Sequence, residues 1–180
     1  MNVVLIGMPG AGKSTLGVLL AKLMGYSFVD TDILMQQKYG ALLGQILKQY
    51  GNEAFLRLEE EMMLSLDMRD TVIATGGSAI YSEAGMAHLG QGNVCVYLDV
   101  PYELIRMRLG NLKQRGVVLP QGFTLRNLYD ERAPLYRRYA DISVTLDKPG
   151  SLDRAARKVY DDICARWPEA AKNGEPPEMV

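Results

Sequence analysis

Cysteine and histidine are scarce in this chain of 180 residues, which contains two cysteines and one histidine. Cys95 lies in a strand-like run, Cys164 lies in a helix-like run, and His88 stands alone. Because these residues are so few, the sequence excludes a disulfide-rich secreted scaffold and a zinc site built from clustered cysteines and histidines. We expect both cysteines to be core or near-core thiols of a reduced, cytoplasmic protein.

The sequence also lacks an excess of charge of one sign and a long apolar run. Lysine and arginine number 20 against 21 aspartates and glutamates, giving a net charge of −1, so nucleic acid is not an expected partner. No apolar stretch approaches the ~20 residues that a membrane-spanning helix needs. Because the chain opens directly on a strand-like run, we expect no signal peptide. The length suits one domain, which we expect to be a monomer.

What the sequence does contain is a glycine-rich phosphate-binding motif. Residues 7–15, GMPGAGKST, match G-x-x-x-x-G-K-[S/T] and lie between an apolar run and leucines at helical spacing. Glycines let successive backbone N–H groups point at one phosphate, and the following helix adds its positive N-terminal end. We expect Lys13 to contact the β- and γ-phosphates of ATP and Ser14 to ligate Mg²⁺. The predicted nucleotide-binding residues of the loop are Gly7, Pro9, Gly10, Ala11, Gly12, Lys13, Ser14 and Thr15.

Short apolar runs rich in β-branched residues alternate along the chain with helical periodicity, which is typical of α/β proteins. The predicted strands are residues 2–6, 26–29, 71–74, 94–98 and 142–145. They predict a five-stranded, open parallel sheet with helices on both faces. The predicted organisation is a single domain at 1–167, substrate-side helices at about 32–67, a short lid at about 111–122 and a disordered tail at 168–180.

Asp30 and Asp32 follow the second predicted strand, at the edge where open α/β sheets bind ligands. Residues i and i+2 of an extended backbone point the same way, so we expect both carboxylates to face the phosphate-binding loop. Asp30 is the expected Mg²⁺ ligand, directly or through water. Asp32 is expected to position or deprotonate a substrate hydroxyl. The alternative is that either aspartate only caps the next helix.

Further candidate residues lie later in the chain. Gly76 and Gly77 follow the third strand, where paired glycines either let a ligand approach the backbone closely or form a simple turn. Arg108 and Arg115 flank the predicted lid region, and an arginine on a closing loop stabilises a transferring phosphoryl group. Arg132, on the next helix, can bind an anion through two hydrogen bonds. The alternative for each arginine is a solvated surface position.

The motifs together resemble the shikimate kinase family over roughly residues 1–165. The resemblance is carried by the loop at 7–15, VDTD at 29–32, ATGG at 74–77 and ERAPLY at 131–136. It implies an adenylate-kinase-like P-loop fold and a lid that closes over ATP. It also implies that Lys13 and Ser14 handle phosphate and Mg²⁺ and that Asp30 helps to position the metal.

The same resemblance implies four further roles. Asp32 engages the substrate diol, Arg132 pairs with the substrate carboxylate, Arg108 lies beside adenine and Arg115 reaches the transferred phosphate. Gly76 and Gly77 belong to a glycine run that the family places against the substrate ring. The residues expected to be catalytic are therefore Lys13, Asp32 and Arg115.

Two positions depart from the family pattern. The family carries F-R-x-x-E on the substrate-side helix, and that arginine binds the shikimate carboxylate; Leu56 occupies its place here. Arg57 follows one position later, a rotation of ~100° around a helix, so it needs a local shift to bind substrate. Ser78 stands where the family has a third glycine. The glutamates at 59–61 are interpreted as a solvated face.

We therefore expect an ATP-dependent kinase that phosphorylates a hydroxyl of a small polyhydroxylated acid, with shikimate as the leading acceptor. Leu56 and Ser78 motivate the alternative of a related kinase acting on another hydroxy acid, sugar acid or polyol. A nucleotide-binding regulator without turnover is a third hypothesis, against which intact Lys13 and Asp32 argue. A nucleoside monophosphate kinase is disfavoured because the predicted lid is short and poor in arginine.

Overall fold

A central parallel sheet organises the computed structural model, which describes residues 1–109, 117–119, 122–147 and 152–170. The strands run in the order β2-β3-β1-β4-β5, and every neighbouring pair is parallel. The five-stranded parallel sheet predicted from the sequence is confirmed, each strand bound lying within one residue of its predicted place. The strands are β1 (Val3–Ile6), β2 (Ser27–Asp30), β3 (Thr71–Ala74), β4 (Val94–Asp99) and β5 (Ile142–Thr145).

Helices cover both faces of the sheet, as predicted. In the described residues they are α1 (Lys13–Met24), α2 (Thr31–Tyr39), α3 (Leu43–Leu64), α4 (Glu83–Gly90), α5 (Tyr102–Arg108), α6 (Leu125–Tyr139) and α7 (Leu152–Arg166). Helix α1 packs against α7, and α3 packs against both α2 and α4. Gly51 divides α3 into two segments, because its φ of 77° and ψ of 169° are not helical. None of the helices in the described part of the chain has the length and apolarity needed to cross a membrane.

Strand β1 lies at the centre of the sheet, and its sequence explains this position. All four of its residues are buried, as are all four of β3, and Val3 lies opposite both Val72 and Val94. A strand that is covered on both faces needs a continuous apolar run rather than an alternating one. Burial of each valine, leucine or isoleucine in these two strands stabilises the fold by roughly 1.5–3 kcal/mol. Strand β5, at the edge, alternates buried and exposed residues instead.

The carboxyl ends of three adjacent strands bring the predicted site residues together. β1 leads into the glycine-rich loop, β2 ends at Asp30, and β3 leads into Gly76 and Gly77. Because the strands are parallel and lie side by side, these three segments meet at one edge of the sheet although they are far apart in sequence.

The predicted boundary of the C-terminal tail is wrong by three residues. Pro168–Ala170 form a 3₁₀ helix after α7. Ala170 is buried in the main hydrophobic core, and the Tyr26 hydroxyl donates a hydrogen bond of 3.3 Å to its carbonyl. Apolar contact therefore orders this turn in spite of its proline. Residues 171–180, and 111–116 and 120–121 of the predicted lid, lie outside the described residues.

Gly17 in α1 gives a test of how closely the helix packs on the sheet. A Cβ at this position would lie 2.5 Å from Cε2 of Phe28 and 3.2 Å from Cδ1 of Leu5. We expect Gly17→Ala to lower the free energy of unfolding by about 1–3 kcal/mol, because overpacking outweighs the better helix propensity of alanine. Chemical denaturation measures this change. In the matched variant Gly90→Ala the new Cβ meets nothing within 4 Å, so it should be neutral or stabilising.

Candidate active site

One large cavity opens at the carboxyl edge of the sheet, with a volume of about 700 Å³. We call it the main cavity. Most of the predicted site residues line it, namely Pro9, Gly10, Gly12, Lys13, Ser14, Thr15, Asp30, Asp32, Gly77, Arg108 and Arg132. Gly7, Ala11 and Gly76 are buried and do not line it. The structure therefore brings residues from five separate parts of the chain to one space.

The glycine-rich loop reaches its shape through backbone conformations that favour glycine. The φ angles of Gly7, Gly10 and Gly12 are 145°, 78° and 99°, all in the positive range. A Cβ on Gly10 would also lie 3.2 Å from the side chain of Leu109. The loop leads directly into α1, whose first residue is Lys13. Together the bare backbone and the helix N-terminus form the surface that holds phosphate oxygens in this motif.

Lys13 is buried at the junction of the loop and α1. Its ammonium donates hydrogen bonds of 2.8 Å to the carbonyl of Gly7 and 3.1 Å to that of Met8. Burial lowers the pKa of Lys13 to about 8, and the carboxylates of Asp32 and Asp30 oppose that shift. The side chain is thus a cation held by neutral carbonyls, which leaves its charge available for a phosphate.

Asp30 caps α2, but it does not only cap the helix, which was the alternative weighed for it. Its Oδ1 accepts hydrogen bonds from the backbone N–H of Asp32 at 2.9 Å and of Ile33 at 3.3 Å. The cap does not remove Asp30 from the site, because the residue also lines the main cavity, as Ser14 does. A carboxylate and a hydroxyl are suitable oxygen ligands for Mg²⁺, which keeps most of its coordination for water and phosphate.

Asp32 also lines the main cavity, but the reason given for its position is wrong. It lies in the first turn of α2 and not in an extended backbone, so the i and i+2 rule does not apply to this pair. The end of β2 and the start of α2 bring the two aspartates to the cavity instead. Burial raises the pKa of Asp32 to about 6, and the Lys13 ammonium opposes this shift.

Glu59 corrects the interpretation of residues 59–61 as a solvated face. Glu61 is exposed and Glu60 is half-buried, but Glu59 is only 8% exposed and lines the main cavity. The hydroxyl of Ser78 donates a short hydrogen bond to its carboxylate. Burial raises the pKa of Glu59 to about 7, while the Ser78 hydrogen bond and nearby cations oppose the shift. The F-R-x-x-E pattern could have found this residue, because its glutamate falls on Glu59, four positions after the buried Phe55.

Side chains of the protein itself lie so close to positions 76 and 77 that only glycine, which has no Cβ, fits there. A Cβ on Gly76 would lie under 3.0 Å from carboxylate oxygens of both Glu59 and Asp32. A Cβ on Gly77 would lie 2.7 Å from the ring of Pro9 and 3.2 Å from Nη1 of Arg132. The Gly77 carbonyl in turn accepts a hydrogen bond of 2.6 Å from the Tyr136 hydroxyl.

Arg132 lines the main cavity and is buried, with 1% of its surface exposed. Its Nε donates to the Tyr81 hydroxyl at 3.1 Å, and its Nη2 donates to the Val118 carbonyl at 3.1 Å. The guanidinium also makes a side-chain hydrogen bond with the Tyr136 hydroxyl. It is therefore fixed by neutral partners, and its positive charge faces the main cavity without an ion-pair partner among the described residues.

The other predicted arginines have different positions. Arg108 lines the main cavity, and its Nη1 donates to the carbonyls of Gly10 at 3.3 Å and Ala11 at 3.4 Å. Arg115 lies outside the described residues. Arg57 is exposed and lines a separate side cavity of about 120 Å³, which shares Glu59 and Ser78 with the main cavity. This position is contrary to the expected contact of Arg57 with substrate in the main cavity.

A glycine-rich loop between a buried parallel strand and a helix faces an aspartate and an arginine across one cavity. This combination defines a P-loop phosphotransferase with an alcohol group as acceptor. A family model described as shikimate kinase matches residues 9–164. The chain belongs to the shikimate kinase family.

Curated relatives and solved structures agree with this assignment. The shikimate kinase of Mycobacterium avium is 38% identical over 168 residues, covering 89% of this chain and 95% of that protein. The shikimate kinase of Nostoc sp. is 32% identical over 177 residues, covering 96% of each chain. The structure of shikimate kinase from Acinetobacter baumannii in complex with shikimate matches with a TM-score of 0.85 at 32% identity, covering 92% of this chain and 94% of that one.

The raised pKa of Glu59 predicts a pH-dependent cost of folding. A carboxyl whose pKa rises from 4.5 to about 7 on folding destabilises the protein increasingly as pH rises through that window. We expect Glu59→Gln to stabilise the protein relative to wild type by on the order of 3 kcal/mol at pH 8, with little gain near pH 4.5. Denaturant unfolding at both pH values measures the difference.

Glu61→Gln is the matched control, because Glu61 is exposed on the same helix. We expect its stability to stay within about 0.5 kcal/mol of wild type at both pH values. A gain for Glu59→Gln that is equal at pH 4.5 and pH 8 would contradict the burial of an ionisable carboxyl at this position.

Proposed function

We propose that this protein transfers the γ-phosphate of ATP to a hydroxyl of shikimate, giving ADP and shikimate 3-phosphate. The observation that carries the proposal is the main cavity, which joins the phosphate-binding loop to Asp32 and Arg132 in one space. The fold similarity to a shikimate kinase in complex with shikimate supports the same acceptor.

The loop side of the main cavity fits a nucleotide. Lys13 and the positive end of α1 would hold the β- and γ-phosphates, and Arg108, which lies along the loop backbone, would face the adenine side. Ser14 and Asp30 are the residues that would hold Mg²⁺, which neutralises phosphate charge when it is bound. The described residues contain no group of three or more His, Cys, Asp or Glu side chains that could hold a metal ion, so phosphate oxygens and water would complete the coordination of Mg²⁺.

The opposite side fits a small acceptor with hydroxyl groups. The acceptor oxygen attacks the γ-phosphorus, the bond from that phosphorus to the oxygen of ADP breaks, and the hydroxyl proton passes to the Asp32 carboxylate. A pKa of about 6 leaves Asp32 mostly ionised at neutral pH and still a better base than an exposed aspartate. The Arg132 guanidinium would bind the acceptor carboxylate.

Leu56 favours a second candidate function. This half-buried residue packs in an apolar cluster and lines the side cavity, so it offers no charge to a carboxylate. A charge-assisted hydrogen bond contributes about 1.5–3 kcal/mol, so an acceptor held by Arg132 alone would bind about 10- to 100-fold more weakly than one held by two arginines. A related kinase for another hydroxy acid, sugar acid or polyol is the alternative that this observation supports.

We further propose that the protein acts as a monomer in the cytoplasm. The main cavity is lined by residues of a single chain, so one copy suffices to form it. Cys95 and Cys164 are free thiols, as suits a reducing compartment. Size-exclusion chromatography with light scattering would test the oligomeric state.

The acceptor is tested by coupled ADP release with ATP and Mg²⁺, with shikimate or with members of a panel of sugar acids and polyols. We expect shikimate to give the largest kcat/KM, because the main cavity offers both an arginine for its carboxylate and aspartate for its hydroxyls. Turnover on another acceptor without a response to shikimate would support the alternative kinase. No turnover on any acceptor would overturn the proposed function.

Removal of the Lys13 ammonium tests the nucleotide side. We expect Lys13→Ala to lower kcat by at least about 100-fold, because the transferring phosphoryl group loses a buried cation. Lys22→Ala removes an exposed lysine from the last turn of the same helix and should keep wild-type kinetics. Near-wild-type kcat in Lys13→Ala would mean that the transferring phosphate is bound elsewhere.

A further inference from the structure

Tyr81 makes two kinds of contact with the buried arginine of the main cavity. It ends the 3₁₀ helix Ala79–Tyr81, which follows β3, and its side chain is half-buried. Its hydroxyl accepts a hydrogen bond of 3.1 Å from Nε of Arg132 and donates one of 2.5 Å to Oε1 of Glu131. The guanidinium carbon of Arg132 also lies over the Tyr81 ring, 5.0 Å from its centre. One phenol therefore contacts Arg132 through both its oxygen and its ring face.

We propose that Tyr81 is a positioning residue for the acceptor, which fixes the orientation of the Arg132 guanidinium so that this group meets the acceptor carboxylate without rearrangement. This inference rests on the proposed function, because it deepens the role given there to Arg132. Tyr81 lines the side cavity and not the main cavity, so it acts through Arg132 and not by touching the acceptor.

The other contacts of Arg132 come from different elements and leave a distinct part to Tyr81. Nη2 donates to the Val118 carbonyl, and the Tyr136 hydroxyl is hydrogen-bonded to the guanidinium. Nη1 lies 3.2 Å from the place where a Cβ of Gly77 would be. Tyr81 holds Nε and one face of the guanidinium. Because Nε is the nitrogen at the base of this planar group, contacts there and on the face together fix the rotation of the plane.

Tyr81 holds the cation without cancelling its charge. Within the described residues no ion pair joins Arg132 to Glu131, and the Tyr81 hydroxyl is hydrogen-bonded to both. Burial raises the pKa of Tyr81 although the nearby Arg132 opposes the shift, so the phenol stays protonated and neutral at neutral pH. A carboxylate paired directly with Arg132 would compete with the carboxylate of the acceptor. The neutral phenol therefore preserves the positive charge for the ligand.

The lack of charge at Leu56 makes the orientation of Arg132 more important in this chain. Leu56 packs in an apolar cluster, so in the proposed function the acceptor carboxylate depends on Arg132. An unrestrained arginine loses rotamer freedom when a ligand immobilises it, and that loss weakens binding. Because Tyr81 restrains Arg132 before the acceptor arrives, the single arginine binds more tightly than an unrestrained one would.

The test measures the kinetics of Tyr81→Phe with ATP and Mg²⁺ on shikimate, or on whichever carboxylate-bearing acceptor of the panel turns over, and on its uncharged methyl ester. Phenylalanine keeps the ring and removes the hydroxyl. We expect the KM for the acid to rise about 5- to 10-fold, with kcat and the KM for ATP within about twofold of wild type. The affinity for the ester, measured as KM or as its inhibition of the reaction with the acid, should change less than about twofold, because the ester carries no charge for Arg132.

Further variants separate the ring from the hydroxyl. Tyr81→Leu removes both and should raise the KM for the acid by about 20-fold or more. Glu131→Ala keeps the phenol but removes the carboxylate that orients its hydroxyl, so a rise of about threefold is expected. Tyr129→Phe is the matched control, because Tyr129 is also half-buried and donates to the Val100 carbonyl without lining the main cavity. Its KM values should equal those of wild type.

The KM values and the preference for the acid over its ester are properties of the folded molecules, so partial unfolding of a variant does not imitate the expected result. An unchanged KM for the acid in Tyr81→Phe and Tyr81→Leu, or equal losses on the acid and the ester, would overturn the inference and leave the proposed function standing. A wild-type preference for an acceptor without a carboxylate would overturn it as well. Absence of turnover by wild type on every acceptor would overturn both.

Discussion

Burial of charged side chains around one cavity is the constraint on which the rest of the structure depends. Lys13, Asp30, Glu59 and Arg132 are each at least nine-tenths buried, and each would be costly if it lacked a hydrogen-bonding partner. Neutral groups satisfy them in every case: backbone carbonyls, helix N–H groups, a serine and a tyrosine. The ion pairs seen in the described residues lie elsewhere, so the charges around the cavity remain available for ligands.

The phosphate-binding half of the site could be predicted from sequence because it is contiguous. Residues 7–15 carry the loop, the cation and the start of the helix, and the flanking β1 and α1 follow from simple periodicity. The parallel sheet was equally accessible, since its central strands are unbroken apolar runs. The strand order places β3 between β1 and β2, so the carboxyl ends of the three strands meet at one edge, which is why Asp32 and Gly77 reach the cavity.

The half of the main cavity that holds Asp32, Glu59 and Arg132 could not be predicted to the same degree, because distant segments build it. Glu59 lies in a run of three glutamates, and composition alone suggests solvent, although only Glu61 of the three is exposed. Asp32 lines the cavity, but the prediction assumed an extended backbone. Its backbone is helical, because α2 begins at the residue that follows the end of β2. Arg57 lies one helical position after the place of the family's arginine. This rotation around the helix places Arg57 at the side cavity instead of the main cavity.

Glu59 and Ser78 separate the main cavity from the side cavity, because both residues line both cavities. A synthetic ligand with its own hydrogen-bond donor to Glu59 would displace the Ser78 hydroxyl and extend past Leu56 toward Met63. Family members with glycine in place of Ser78 offer no such hydroxyl to displace. An inhibitor that reaches from the main cavity into the side cavity would therefore discriminate this enzyme from its relatives without relying on the nucleotide pocket that they share.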